Sequence, residues 1–152
     1  MKNTYVINDD TIVVVAVTDS CCKIYEVNDE FIVNESIKDI LELSCRYYGS
    51  SLKGRLDGSK YIFGCNYKLP IVINQYSDNI FFTTRSYNSN DTYIICYNNI
   101  KFYEKVDKTT KIYVENGKSI IIDEKYKVFE NQYSRANLLY MKLQLIKNTP
   151  IC

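Results

Sequence analysis

The first third of the chain carries apolar residues in short runs that are typical of β-strands. Thr11–Val17 is a continuous apolar run, which predicts a central strand. Lys23–Val27 and Glu30–Val33 lie on either side of Asn28-Asp29, and this arrangement predicts a hairpin. We therefore expect the fold to begin with antiparallel strands.

Between Asn34 and Gly49 the apolar spacing changes to that of a helix. Asn34 or Ser36 can cap its first turn, and Gly49 can end it. One face of this predicted helix carries Ile37, Ile40, Leu41, Ser44 and Tyr48.

The rest of the chain predicts further short strands and one long helix. Asn116-Gly117 is the strongest hairpin signal in the chain. The segment 129–146 has a helical pattern, and its broad apolar surface suits contact with both the sheet and a second subunit. The other predicted strands are Tyr61–Phe63, Leu69–Ile73, Ile80–Thr84, Tyr93–Tyr97, Ile100–Tyr103, Lys111–Glu115 and Lys118–Asp123.

These elements predict the α+β class, with a mostly antiparallel β-sheet, one mid-chain helix and one C-terminal helix. Residues 1–152 suit a single domain with one modest core. The segment from Gly49 to Ser59, GSSLKGRLDGS, is predicted as a glycine-rich loop. Its amide and hydroxyl donors beside two cations suit a phosphate backbone, although glycine-rich surface loops without a ligand are also common.

Composition narrows the functional classes. Hydrophobic residues make up 46% and charged residues 24%, as in globular proteins. The chain has no histidine, which excludes His-dependent nucleophilic catalysis and His-ligated metal sites. An enzyme that uses only carboxylates or lysine is not excluded, but the absence of histidine makes an enzyme less expected. We expect no enzymatic activity, no cofactor and no metal.

The chain shows no sign of export or membrane insertion. Its first ten residues do not resemble a signal peptide, and no apolar run approaches the ~20 residues that span a bilayer. The six cysteines include no C-x-x-C pair, and we expect them to be reduced thiols. These features predict a cytoplasmic protein without a membrane partner.

Charge is segregated along the chain. Residues 1–45 hold three lysines and nine acidic residues, a net charge of −6, whereas residues 46–152 hold 16 basic and nine acidic residues, a net charge of +7. Nucleic-acid-binding proteins often divide charge in this way, but so does an ordinary protein with an acidic edge. The four arginines are candidates for bidentate or groove contacts: Arg46, Arg55, Arg85 and Arg135.

Two motifs resemble those of the ComK family of competence transcription factors. The run SCRYYGSS over 44–51, followed by Gly54-Arg55, is similar to the family signature S-C-R-aromatic-aromatic-G-S-S-x-x-G-R. FENQ over 129–132 with Arg135 resembles the second block, and KLPI over 68–71 is similar to a K-P-P-I segment. Order and spacing agree over roughly residues 5–146.

The resemblance implies a regulator of DNA-uptake genes that binds paired A/T-rich boxes, largely through the minor groove. It also implies a homo-oligomer, either a dimer or a pair of dimers, with RNA polymerase as a further candidate partner. Longer family members continue into a C-terminal tail used for regulated proteolysis, and we expect this chain, which ends at Cys152, to lack it.

The expected DNA contacts fall into two groups. Phosphate positioning is assigned to Ser50, Ser51, Lys53, Lys60 and Lys68, and groove contacts to Arg46 and Arg55. Second candidates are Arg85, Asn131, Gln132 and Arg135, of which the last three can equally be structural. The alternative function is a family paralogue that does not bind DNA and modulates a longer regulator through mixed oligomers.

Overall fold

A computed structural model of the chain describes residues 3–65 and 67–150. Its described part contains three helices, α1 (Ile37–Tyr47), α2 (Leu52–Phe63) and α3 (Tyr126–Asn148). The predicted fold class, with two helices, is therefore wrong in its helix number, because α2 replaces both the predicted loop and a predicted strand.

Local caps and burial explain why a glycine-rich segment becomes α2. The Ser51 hydroxyl accepts a 2.9 Å hydrogen bond from the amide of Gly54, and Gly64 ends the helix with a φ of 70°. Leu52 is buried, and Leu56 packs partly against the same core. This tertiary burial outweighs the roughly 1 kcal/mol that each interior glycine costs a helix.

The larger sheet has six strands in the order β3-β2-β1-β6-β5-β4, and every neighbouring pair is antiparallel. The prediction of a central strand at Thr11–Val17 is confirmed, since β1 pairs with both β2 and β6. The strands are β1 (Thr11–Thr18), β2 (Cys21–Glu26), β3 (Glu30–Val33), β4 (Ile71–Asn74), β5 (Asn79–Thr83) and β6 (Tyr93–Cys96).

A smaller antiparallel sheet contains β7 (Phe102–Val106), β8 (Thr109–Tyr113) and β9 (Ser119–Ile122). The predicted hairpin at Asn116-Gly117 joins β8 to β9, and both residues have positive φ angles, 64° and 71°. Asparagine and glycine tolerate this left-handed backbone better than other residues do, which is why this sequence signal is dependable.

The large sheet is covered on both faces. On one face, Val14, Phe81 and Ile94 pack against α1 and α2 in one buried cluster. On the other face, the alternate residues Val13 and Phe82 belong to a second cluster with α3 and the small sheet. Burial on both faces explains why β1 and the middle of β5 are continuous apolar runs.

Several tyrosines pack α3 onto the sheets. The Tyr103 ring centroid lies 4.8 Å from that of Tyr133 and 5.0 Å from that of Phe129, and Phe82 meets Phe129 edge-on at 5.4 Å. Burial raises the pKa of Tyr103 to about 12. These rings have a packing role and are not free for stacking on bases.

No helix in the described ranges is both long and apolar enough to cross a bilayer. Cys152 lies outside the described residues, and the five other cysteines are free thiols.

Candidate nucleic-acid interface

The α1–α2 pair forms a compact unit at the surface. Its two helices are joined by the four residues 48–51, a turn in which Gly49 has a φ of 88°. The Tyr48 hydroxyl donates to the carbonyl of Ile7 at 3.0 Å, and the Ser50 amide donates to the carbonyl of Cys45 at 2.9 Å. The structure thus places two consecutive helices around a short turn with glycine, an arrangement that sequence reasoning missed because α2 was interpreted as a loop followed by a strand.

Two of the amides at the start of α2 donate to side chains of the protein. Gly54 donates to the Ser51 hydroxyl, and Leu52 donates to a carboxylate oxygen of Glu42 at 3.1 Å. Ser51 is therefore a helix cap, and the Ser50 hydroxyl lies 3.5 Å from the carbonyl of Ser51. The expectation of an open glycine loop over 49–59 is wrong, because residues 52–63 form α2 and its caps use several of the donors that such a loop would offer. Phosphate contact by this segment stays a prediction.

Arg46 lies in the last turn of α1 with its side chain 70% exposed. Its Nε donates to Glu42 at 2.9 Å. This hydrogen bond, together with that from the Leu52 amide, holds the pKa of Glu42 below its ordinary value. Because the pair is exposed, it adds little stability, and Arg46 is accessible to a ligand.

Arg55 is half-buried on α2. Its Nη2 donates to the side-chain carbonyl of Gln75, whereas its Nε is buried without a hydrogen-bond partner among the described residues. The guanidinium lies close enough to Cys45 to favour the thiolate, yet burial dominates and raises the pKa of that thiol to about 11. Within the described residues Arg55 therefore has no carboxylate partner, and its guanidinium is partly exposed and partly buried.

A cleft of about 540 Å³ lies beside α2, between the helix and the segments 67–69 and 86–88. We call it the lysine cleft, because Lys38, Lys53, Lys60 and Lys68 line it together with Glu42 and Asp57. The structure brings together the three lysines predicted to position phosphate and adds Lys38, which sequence reasoning missed. Only the tertiary contact between α1 and the later loops places Lys38 there.

Lys68 is held in an unusual backbone conformation. Its φ is 48°, and its carbonyl accepts hydrogen bonds from Gln132 at 2.8 Å and from Arg135 at 3.1 Å. Arg135 also donates to the carbonyl of Tyr67 at 2.7 Å and contacts the thiol of Cys65 at 3.3 Å. These bonds engage Gln132 and Arg135 in fixing the loop that carries Lys68.

The other second candidates differ in exposure. Arg85 pairs with Asp91 and with Glu124, and the hydrogen bond to Glu124 raises the Arg85 pKa. Asn131 is exposed on α3. Arg85 is thus engaged in ion pairs, whereas Asn131 remains accessible.

Comparison with known proteins agrees with the motifs. No solved structure matches this chain significantly. The "Competence transcription factor" of Bacillus subtilis (strain 168) is 30% identical over 125 residues, which cover 82% of this chain and 65% of that protein. The matched part thus spans less than two thirds of this relative. The family model described as ComK protein matches residues 2–147. The chain belongs to the ComK protein family.

Proposed function

We propose that this chain is a competence transcription regulator that binds double-stranded DNA through the α1–α2 pair. Family membership and the printed name of the similar protein support the regulatory role. The observation that carries the DNA contact is the grouping of three lysines at one cleft, next to an arginine that pairs with Glu42 of the same cleft: Lys53, Lys60, Lys68 and Arg46. We call these four residues the DNA surface.

The charge balance of this surface favours a polyanion. Glu42 is paired with Arg46, and Asp57 is paired with Lys53 at 3.0 Å. Lys60 is exposed and forms no ion pair within the described ranges. Phosphates can recruit Arg46 and Lys53 from exposed pairs at little cost, because such pairs contribute little energy in water.

Preference for A/T-rich DNA is assigned to arginine in the minor groove. Arg46 suits this role best, since its guanidinium is exposed at the end of α1. Arg55 would first have to leave Gln75, and Gln132 and Arg135 act indirectly by fixing Lys68. Asn131 is exposed and adds a candidate contact from α3.

We also propose that the chain associates with a second copy through α3. Leu138, Met141 and Leu145 are 50%, 56% and 64% exposed and fall on one helix face. With Met141 near its middle, this apolar stripe is self-complementary when two helices pack antiparallel, as a two-fold interface requires. The same stripe would serve mixed oligomers, which is the alternative function of a paralogue that does not bind DNA.

A mobility shift on A/T-box DNA and on G/C-matched DNA, across a salt series, tests the DNA proposal. We expect tighter binding to A/T-box DNA, with affinity falling steeply with salt. Arg46→Ala and Lys60→Gln should each lower the salt slope by about one unit, whereas Lys108→Gln in the β7–β8 turn should not. The absence of any shift, alone or mixed with a longer family member, would favour the alternative.

A further inference from the structure

The lysine cleft has features that a DNA backbone does not need. Its lining includes three leucines, Leu52, Leu56 and Leu69, and two tyrosines, Tyr67 and Tyr87. A volume of about 540 Å³ is typical of small-molecule sites. Phosphates on a duplex contact a basic surface, but they gain nothing from a concave apolar floor.

The cleft is preformed. The Tyr87 hydroxyl donates to the carbonyl of Leu69 at 2.6 Å, which ties the 86–88 segment to the 67–69 segment. Gln132 and Arg135 hold Lys68 in its left-handed conformation. A strained backbone that its surroundings enforce is a feature of ligand sites.

The side chains that line the cleft have an excess of positive charge, which favours binding of an anion. The two acidic side chains are already neutralised by Arg46 and Lys53. Among the described residues, Lys38 and Lys60 form no ion pair, and the Lys68 amine bonds only to the carbonyl of Thr84 at 3.4 Å. Lys60 and Lys68 therefore line the cleft without an anionic partner in this part of the chain, and Lys38 adds a third cation whose charge acts on Glu42 from beyond ion-pair distance.

One further contact points to an aromatic ligand. Tyr67 is 65% exposed at the cleft, and the Lys68 amine lies 5.2 Å from its ring centroid. An exposed ring next to a cation and among apolar lining residues can stack a base while lysines hold its phosphates.

We propose that the lysine cleft binds a free nucleoside polyphosphate, with its base against Tyr67 and the leucines and its phosphates on Lys38, Lys60 and Lys68. Because Lys60 and Lys68 also belong to the DNA surface, the nucleotide and DNA exclude each other. The competition rests on the proposed function, whereas nucleotide binding by itself does not.

Equilibrium dialysis of the full chain with ATP, without DNA, tests the site directly. We expect saturable binding, and Lys38→Gln should weaken it about tenfold, as loss of one charge-assisted hydrogen bond predicts. Lys38 lies outside the DNA surface, so this variant should bind DNA normally. Lys108→Gln is the charge-matched control and should bind ATP as the wild type does.

Further ligands and one further variant separate the contribution of the phosphates from that of the base and the Tyr67 ring. Tripolyphosphate and adenosine should each bind more weakly than ATP, and Tyr67→Ser should weaken ATP but not tripolyphosphate. ATP should also release A/T-box DNA from the wild type, and about tenfold more should be needed with Lys38→Gln.

Several results would overturn the proposal. These are no saturable ATP binding by the folded wild type, unchanged binding by Lys38→Gln, or tripolyphosphate binding as tightly as ATP. Saturable ATP binding without any DNA binding would refute the proposed function and the competition while supporting the nucleotide site.

Discussion

The side-chain amide of Gln132 donates a 2.8 Å hydrogen bond to the carbonyl of Lys68 and a 2.9 Å hydrogen bond to the carbonyl of Thr83. Gln132 is 5% exposed, so a residue of α3 joins the loop of the lysine cleft to the end of β5 from inside the fold. The motif FENQ over 129–132 thus shapes the lysine cleft by holding the backbone that carries Lys68.

Gln132→Leu should destabilise the protein by about 2 kcal/mol, because it removes the side-chain donor to the buried carbonyl of Thr83 and leaves the Lys68 carbonyl with Arg135 alone. It should also weaken DNA binding by releasing Lys68. Urea unfolding and a mobility shift measure the two effects. Asn131→Ala, at the exposed neighbouring position, should change stability by less than about 0.5 kcal/mol. Equal destabilisation by both variants would contradict this assignment.

The two interior glycines of α2 should respond differently to alanine. A Cβ at Gly58 meets open space, so Gly58→Ala should stabilise the protein by about 1 kcal/mol through helix propensity. A Cβ at Gly54 would lie 2.9 Å from the Ser50 hydroxyl and 3.2 Å from that of Ser51, so Gly54→Ala should gain less. Urea midpoints compare them, and an equal gain would show that the turn does not pack on the helix as described.

Arg46 and Arg85 should separate binding from stability. Arg85→Ala removes the partner of Glu124, whose side chain is only 10% exposed, and should cost about 1 kcal/mol without changing the salt slope. Arg46→Ala should leave stability within about 0.5 kcal/mol but weaken DNA binding. Thermal unfolding and the salt series measure both variants. If Arg85→Ala changed the salt slope and Arg46→Ala did not, Arg85 and not Arg46 would be the residue that contacts DNA.

Glu42 should contribute pH-dependent stability. Its folded-state pKa lies below the ordinary value of 4.5, because Arg46 and the Leu52 amide favour the carboxylate. The stabilisation is present above that ordinary value and is lost as pH falls through the depressed pKa. Glu42→Gln should therefore be less stable than the wild type near neutrality, and the difference should shrink in acid. Urea unfolding midpoints of both proteins, measured from neutral to acidic pH, test this prediction. A stability difference that does not change with pH would show that Glu42 does not cause the pH dependence.

Local patterns in the sequence determined much of the fold and the family. The apolar runs of β1 and β5, the Ser36 cap with Gly49 after α1, and the Asn116-Gly117 turn each act over a few residues. Such signals can be predicted because their energies depend on adjacent backbone geometry and on which face is buried. The family motifs likewise indicated the relationship that the ComK match shows.

Only the tertiary structure decided that the glycine-rich segment is α2, since the burial of Leu52 and Leu56 against distant strands offsets the cost of the glycines. It also decided the roles of the polar residues. Gln132 and Lys68 meet across 64 positions of the chain, and Lys38 faces loops that follow α2. A side chain's chemistry shows which bonds it can form, but its partner depends on the packing of elements that are far apart in sequence.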